Sequence, residues 1–152
     1  MVDGKHMKKY LTTLTLLLLC CIAGAQTAQS SAQKSLSAAK LFALGGIGYA
    51  GEISQGERDF WVLLDQPPDR ALAAFEEVFN RGTPEAKCYA LVGIRKLNPA
   101  HFHQLLLSIA EHSDTVRTAD GCLFDQSTLA KTAERINHGS YDAWLEHHPR
   151  HS

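Results

Sequence analysis

Glycines 46, 48 and 51 spell G-x-G-x-x-G within LGGIGYAGEISQGE, the spacing with which a strand-to-helix turn presents backbone N–H groups to a dinucleotide pyrophosphate. That use needs a helix opening on the third glycine and an acidic residue about 20 positions further on. Here Glu52-Ile53-Ser54 follows, and the next helix signal begins only at Ser54. No nucleotide cofactor is therefore expected. Ile47, Tyr49 and Ile53 share one parity and Gly48 and Ala50 the other, which predicts an extended segment with one buried face. Gly46, Gly48, Tyr49 and Gly51 then read as a close-packing or interaction segment, because glycine lets another backbone or helix approach.

Histidine is the one over-represented reactive type, with eight copies. His101 and His103 stand two apart on an expected helix and point to different sides. His147 and His151 have the i, i+4 spacing of a shared ligand pair, but Pro149 interrupts the helix that spacing requires, and His148 adds only a third imidazole to a polar tail. No metal site is expected. Glu52, Glu57 and Asp59 surround the glycine segment as paired acids for glycoside chemistry would, although a helix N-terminus favours carboxylates for a plainer reason. Arg117 and Asp120 read as a solvated pair. No G-x-S-x-G, H-E-x-x-H or P-loop occurs, so an enzyme would need Glu57, His101 and His103 to converge only in the fold.

The N-terminus bears on the cysteines. Lys8 and Lys9 precede an apolar run from Leu11 to Ile22, followed by Ala23-Gly24-Ala25, the pattern of a secretory signal with an A-x-A cleavage site. Residues 1–25 are expected to be removed, and because Met7 heads a basic region by itself, residues 1–6 read as an upstream start. Cys20 and Cys21 raise a rival, a lipoprotein cut before a cysteine, which Leu19 and Cys20 fit poorly. Cleavage after Ala25 leaves 127 residues and moves the formal charge from −1 to −3, too acidic to bind nucleic acid by charge. No membrane span is expected afterwards. Cys88 and Cys122 remain, and in an oxidising compartment they predict a disulfide that stabilises by roughly 4 kcal/mol; the alternative is two separate buried thiols. No C-x-x-C suggests a redox role.

These residues must be positioned by a mainly α-helical fold. Residues 26–40, poor in large apolar side chains, read as a flexible leader. Ser54-Gln55-Gly56-Glu57 has capping-box spacing and opens a helix that stops at Pro67-Pro68. A second helix runs from about Asp69 to Arg81, with Ala71, Leu72, Phe75, Val78 and Phe79 on its apolar stripe and Gly82 as a left-handed cap. Thr83-Pro84-Glu85 starts a third, with Gly93 as a small contact point, and Asn98-Pro99 starts a fourth that buries Phe102, Leu105, Leu106 and Ile109. Short connections make these antiparallel hairpins. A shift of 34 residues lays Phe60, Leu63, Leu72 and Phe75 on Ile94, Leu97, Leu106 and Ile109, a faint repeat-like echo.

From Ser113 the pattern turns β-branched, and Asp120-Gly121 predicts a small hairpin able to pair with residues 45–50. A fifth helix spans about Ser127 to His138, stopped by Gly139, before an apolar turn at Tyr141, Trp144 and Leu145. The expected organisation is a single helical domain over residues 41–146, ending in a polar, His-rich tail at 147–152. With no catalytic constellation visible, the leading functional expectation is a bacterial periplasmic or secreted module that binds a protein partner of the envelope, an inhibitor or immunity-type protein being one form. A small periplasmic enzyme and a structural lipoprotein are the alternatives.

Overall fold

A computed structural model describes residues 28–110 and 113–147. Residues 1–25, expected to be a signal and including Cys20 and Cys21, and the tail beyond His147 lie outside the described residues. The chain divides after Ser31, and the described residues from Ala32 on form one compact unit. Its elements are helix α1 (residues 28–37, of which 32–37 lie in this unit), β1 (Phe42–Ile47), α2 (Gln55–Leu64), α3 (Pro68–Arg81), α4 (Pro84–Leu97), α5 (Pro99–Ile109), β2 (Thr115–Gly121), β3 (Leu123–Thr128), α6 (Leu129–Asn137) and α7 (Asp142–His147). The fold is mainly α with a three-stranded sheet.

The caps that start the helices are local and form as their residue types dictate. Ser54 accepts from Glu57 N, Thr83 from Ala86 N and Asn98 from His101 N, each with its side-chain oxygen. Asn98 also closes α4 through its own N–H to Ile94 O. Gly82 departs from expectation: its φ is −81° and ψ 169°, an extended conformation rather than a left-handed cap. Glycine is needed there for room, since a Cβ would lie 2.6 Å from Val78 O and 2.7 Å from the Ala86 Cβ.

Helix α4 is the centre of the molecule. It packs against α2, α3, α5, α6, β1 and β2, and its residues from Cys88 to Ile94 are buried without a break. The two hairpins linked by the 34-residue echo therefore hold unequal places, because α2 buries one face only. Gly93 is a close contact as its size suggests: a Cβ would sit 2.5 Å from the Phe75 ring of α3.

Residues 28–37 are helical where a flexible leader was expected. Ala32 and Leu36, four apart, bury one face in the core, and the Ser37 carbonyl accepts from Thr83 N while the Ala39 carbonyl accepts from the Thr83 hydroxyl. One leucine and one alanine at helical spacing suffice because α4's N-terminus supplies the polar partners.

In the sheet, β1 pairs parallel with β2 (Phe42 opposite Thr118, Ala43 opposite Ala119), and β2 pairs antiparallel with β3 from Thr115–Thr128 to Asp120–Leu123. The expected pairing between the glycine segment and the hairpin is thus present, with the strand placed earlier, at 42–47. Tyr49 is not buried: Gly48 and Gly51, at φ +72° and +63°, carry the chain round a tight turn closed by Ile47 and Glu52, and Tyr49 at its tip is fully exposed.

Candidate functional site

Two regions gather the residues singled out by their chemistry. The inner one surrounds the start of β1. Consecutive glycines 45 and 46 both have positive φ (+100° and +91°), a conformation that turns successive N–H groups toward one acceptor. That acceptor is Glu57 Oε2, at 3.1 Å from Gly45 N and 3.4 Å from Gly46 N. Glu57 is only 2 % exposed, in the first turn of α2 where the helix field favours negative charge. Half of the expected capping box is therefore formed. The serine half holds, but the glutamate reaches across to β1 instead of back to Ser54.

Beside it, the Tyr89 hydroxyl accepts from Ala43 N at 3.0 Å and donates to Ala43 O at 2.9 Å, with Ser54 Oγ 3.2 Å away. β1 is an edge strand, so without this hydroxyl the buried Ala43 N–H would have no partner and its carbonyl only Ser54 Oγ, at 3.3 Å. Burial pushes the Tyr89 phenol above its ordinary value, which keeps it a donor. The ring reaches Ala43 only because residue 56 is glycine; a Cβ there would lie 2.7 Å from the hydroxyl. Glu57 Oε2, the Tyr89 hydroxyl and Ser54 Oγ are consumed by the fold, and Gly45 and Gly46 offer no N–H to a phosphate.

The histidines and acids do not converge with Glu57. His101 on α5 faces Glu76 of α3 at 3.3 Å, and the His103 ring lies 2.7 Å from the Pro99 carbonyl. His103 borders a cavity of about 370 Å³ whose walls include Arg95, Lys96, Asp142 and Glu146, and neither Glu57 nor His101 reaches it. There Arg95 grips Asp142 with both guanidinium nitrogens and holds its carboxyl below the ordinary range. Asp59 Oδ1 accepts from Gln55 Nε2 at 2.9 Å, within its own helix turn. Among the described residues no group of three His, Cys, Asp or Glu side chains could hold a metal ion.

The expected Cys88–Cys122 crosslink is not formed; both cysteines are free. Cys88 sits on the wholly buried stretch of α4, where burial, then the Glu85 charge, raise its pKa, while Cys122 is exposed at the turn between β2 and β3. The helix phase that carries Cys88 into the core is what separates it from the turn.

The outer region is the sheet rim. Gly48 N donates to Gly121 O at 2.8 Å, which sets the Tyr49 turn beside the β2–β3 turn. Tyr49, Leu123 (75 % exposed) and Phe124 (66 % exposed) consequently stand in solvent at the same end of the sheet, Leu123 and Phe124 on opposite faces of β3. Tyr49 belongs to the glycine segment that spacing singles out, whereas the exposure of Leu123 and Phe124 comes from their place on an edge strand.

β3 is the other edge, and the direction of its backbone follows from its neighbours. Arg117 N donates to Glu85 Oε1 at 3.2 Å and Gly121 O accepts from Gly48, so the odd-numbered residues of β2 face β1. The even-numbered ones face β3, and by antiparallel alternation Phe124, Gln126 and Thr128 of β3 turn their N–H and C=O groups outward. A groove of about 510 Å³ crosses the sheet, bordered by Lys40 and Leu41 before β1, Arg117 and Thr118 of β2, and Phe124 and Gln126 of β3 beside Asp125.

No family model matches the chain, and no curated protein or solved structure matches it. Among the described residues no helix is long and apolar enough to cross a membrane.

Proposed function

We propose that the protein is an exported bacterial envelope protein that works as a small protein-binding module, of the inhibitor or immunity type, with the sheet rim as its contact surface. The observation that carries this reading is the grouping of Tyr49, Leu123 and Phe124, large apolar side chains left in solvent at one end of the sheet while the core closes over Phe42, Phe60, Phe75, Tyr89 and Phe102. Aromatic side chains at an exposed rim are the usual anchors of a protein interface. LTTLTLLLLCCIAGA supports export.

The test uses the chain as bait in an envelope extract. A saturable partner is expected, and Tyr49→Ser, Leu123→Ser and Phe124→Ser together should weaken its capture roughly a hundredfold, two anchors' worth at a typical interface, without changing the circular dichroism spectrum. No saturable partner, or a triple variant that binds as before, overturns the reading. Mass spectrometry of the native N-terminus separates a product beginning at Gln26 from an acylated lipoprotein.

A further inference from the structure

We propose that the turn from Gly48 to Gly51 is an insertion element, carrying Tyr49 into a cleft of a partner protein whose walls are apolar and whose entrance is basic. The proposal rests on the reading of the protein as a protein-binding module and names the shape and charge of what it binds.

Three observations carry it. The first is how the turn is held. Ile47 N donates to Glu52 O at 2.8 Å and Glu52 N to Ile47 O at 2.9 Å, while Gly51 N donates to Gly48 O at 3.2 Å and Gly48 N is tied to Gly121 O of the neighbouring turn. Just before it in the chain, Glu57 fixes the N–H groups of Gly45 and Gly46. Nothing of the fold lies within 4 Å of where a Cβ would stand on Gly48 or Gly51, so these two glycines serve the positive φ of the turn and leave its tip without a neighbour there. Tyr49 thus stands wholly in water on a backbone already fixed, and a rigid aromatic side chain on a pre-formed turn loses little freedom when a partner buries it.

The second is shape. Leu123 and Phe124 lie on opposite faces of β3, so together with Tyr49 they flank the end of the sheet and do not pave one flat face. A projecting end of this kind is complemented by a concave surface.

The third is charge. Residues 41–57 and 118–128, which build this end of the sheet, contain no Lys, Arg or His. Glu52 at the foot of the turn and Asp120 at the end of β2 are exposed, and among the described residues neither carboxylate makes a hydrogen bond or ion pair. The cations that border these segments are held elsewhere: Arg117 against Glu85 and Arg58 against Gln55, while Lys40 and Lys131 lie beyond the far ends of β1 and β3. An acidic margin around an apolar tip complements a basic cleft and speeds encounter with it. The same margin repels a second copy of this end, so the occupant is a different protein.

The experiment splits an envelope extract by ion exchange into a basic and an acidic protein pool and offers each to the immobilised full chain. Saturable capture from the basic pool is expected, with association slowing roughly tenfold between low and physiological salt. Tyr49→Ala should weaken that capture roughly thirtyfold, one anchor's worth, whereas Tyr49→Phe should keep most of it because the ring remains. Glu52→Gln with Asp120→Asn should slow association several-fold and leave dissociation unchanged. With Tyr49 replaced by photoreactive benzoylphenylalanine, the crosslink should fall inside a cleft of the captured protein. Capture from the acidic pool as readily as from the basic one, full binding by Tyr49→Ala, or a crosslink to a flat face or to a second copy of this chain overturns the proposal. A partner lost with Leu123→Ser and Phe124→Ser but not with Tyr49→Ala would sink insertion and leave the binding-module reading standing; no saturable capture from either pool would sink that reading as well.

Discussion

The inner glycine corner and the outer sheet rim lie within a few residues of each other along β1, yet they treat their side chains in opposite ways. At the corner Glu57, Tyr89 and Ser54 saturate the backbone of Ala43, Gly45 and Gly46, so residues that look reactive in isolation are used up as structure. At the rim Tyr49, Leu123 and Phe124 have no such employment, although they are the kind of residue a fold ordinarily buries. Reactive residue types are thus spent on structure here, and the exposed rim is where the proposed function is placed.

The contrast can be broken most sharply through the two thiols. In the folded protein Cys122 should react with an aromatic disulfide reagent at least on the order of a thousandfold faster than Cys88, whose buried thiol resists ionisation; two equivalents at similar rates would erase the distinction between the regions. Next in size, Glu57→Ala leaves two strand N–H groups without their acceptor and should cost about 3 kcal/mol in urea denaturation, with Glu57→Gln costing less because one oxygen remains. Tyr89→Phe keeps the edge-on ring contact with Phe42 but strips the Ala43 N–H of its partner and leaves the carbonyl only Ser54 Oγ, for a loss of about 2 kcal/mol by the same measurement.

Smaller effects mark the periphery. Asp142 is half exposed, so Asp142→Asn should cost only about 0.5 kcal/mol at neutral pH. Because the Arg95 hydrogen bonds depress its carboxyl in the folded chain, that contribution is present above the unfolded value and disappears as pH falls through the folded one; variant and parent melting curves should converge in acid. Smallest of all, Leu123→Ser and Phe124→Ser should leave the unfolding midpoint within about 0.5 kcal/mol of the parent, since these side chains contribute little to the core.

What was legible in the sequence follows the range of each interaction. Ser54, Thr83 and Asn98 announced their helices because a cap spans three residues and needs nothing from elsewhere. The stripe of α3 was readable for the same reason. Glu57 was assigned to the right helix turn but to the wrong donors, since its partners at Gly45 and Gly46 are chosen by how α2 lies against β1. Gly82 carries the usual punctuation of a left-handed cap, and only crowding from Val78 and Ala86 reveals that it is there for space. Leu36 is the one large apolar side chain of residues 26–40, and a single leucine gives no periodicity from which its burial could be read. Of the candidate site, Tyr49 was visible as part of the glycine segment, whereas the exposure of Leu123 and Phe124 depends on β3 being an edge, a fact that belongs to the sheet and not to the strand.

The Glu57 contacts span 11 and 12 positions along the chain, whereas the β1–β2 ladder must wait for residues beyond Thr115. A growing polypeptide can accordingly bend Gly45 and Gly46 around their carboxylate as soon as α2 winds, long before the neighbouring strand has been synthesised. The long excursion through four helices then ends on a berth already shaped, which lowers the entropic toll of joining two parallel strands so distant in sequence.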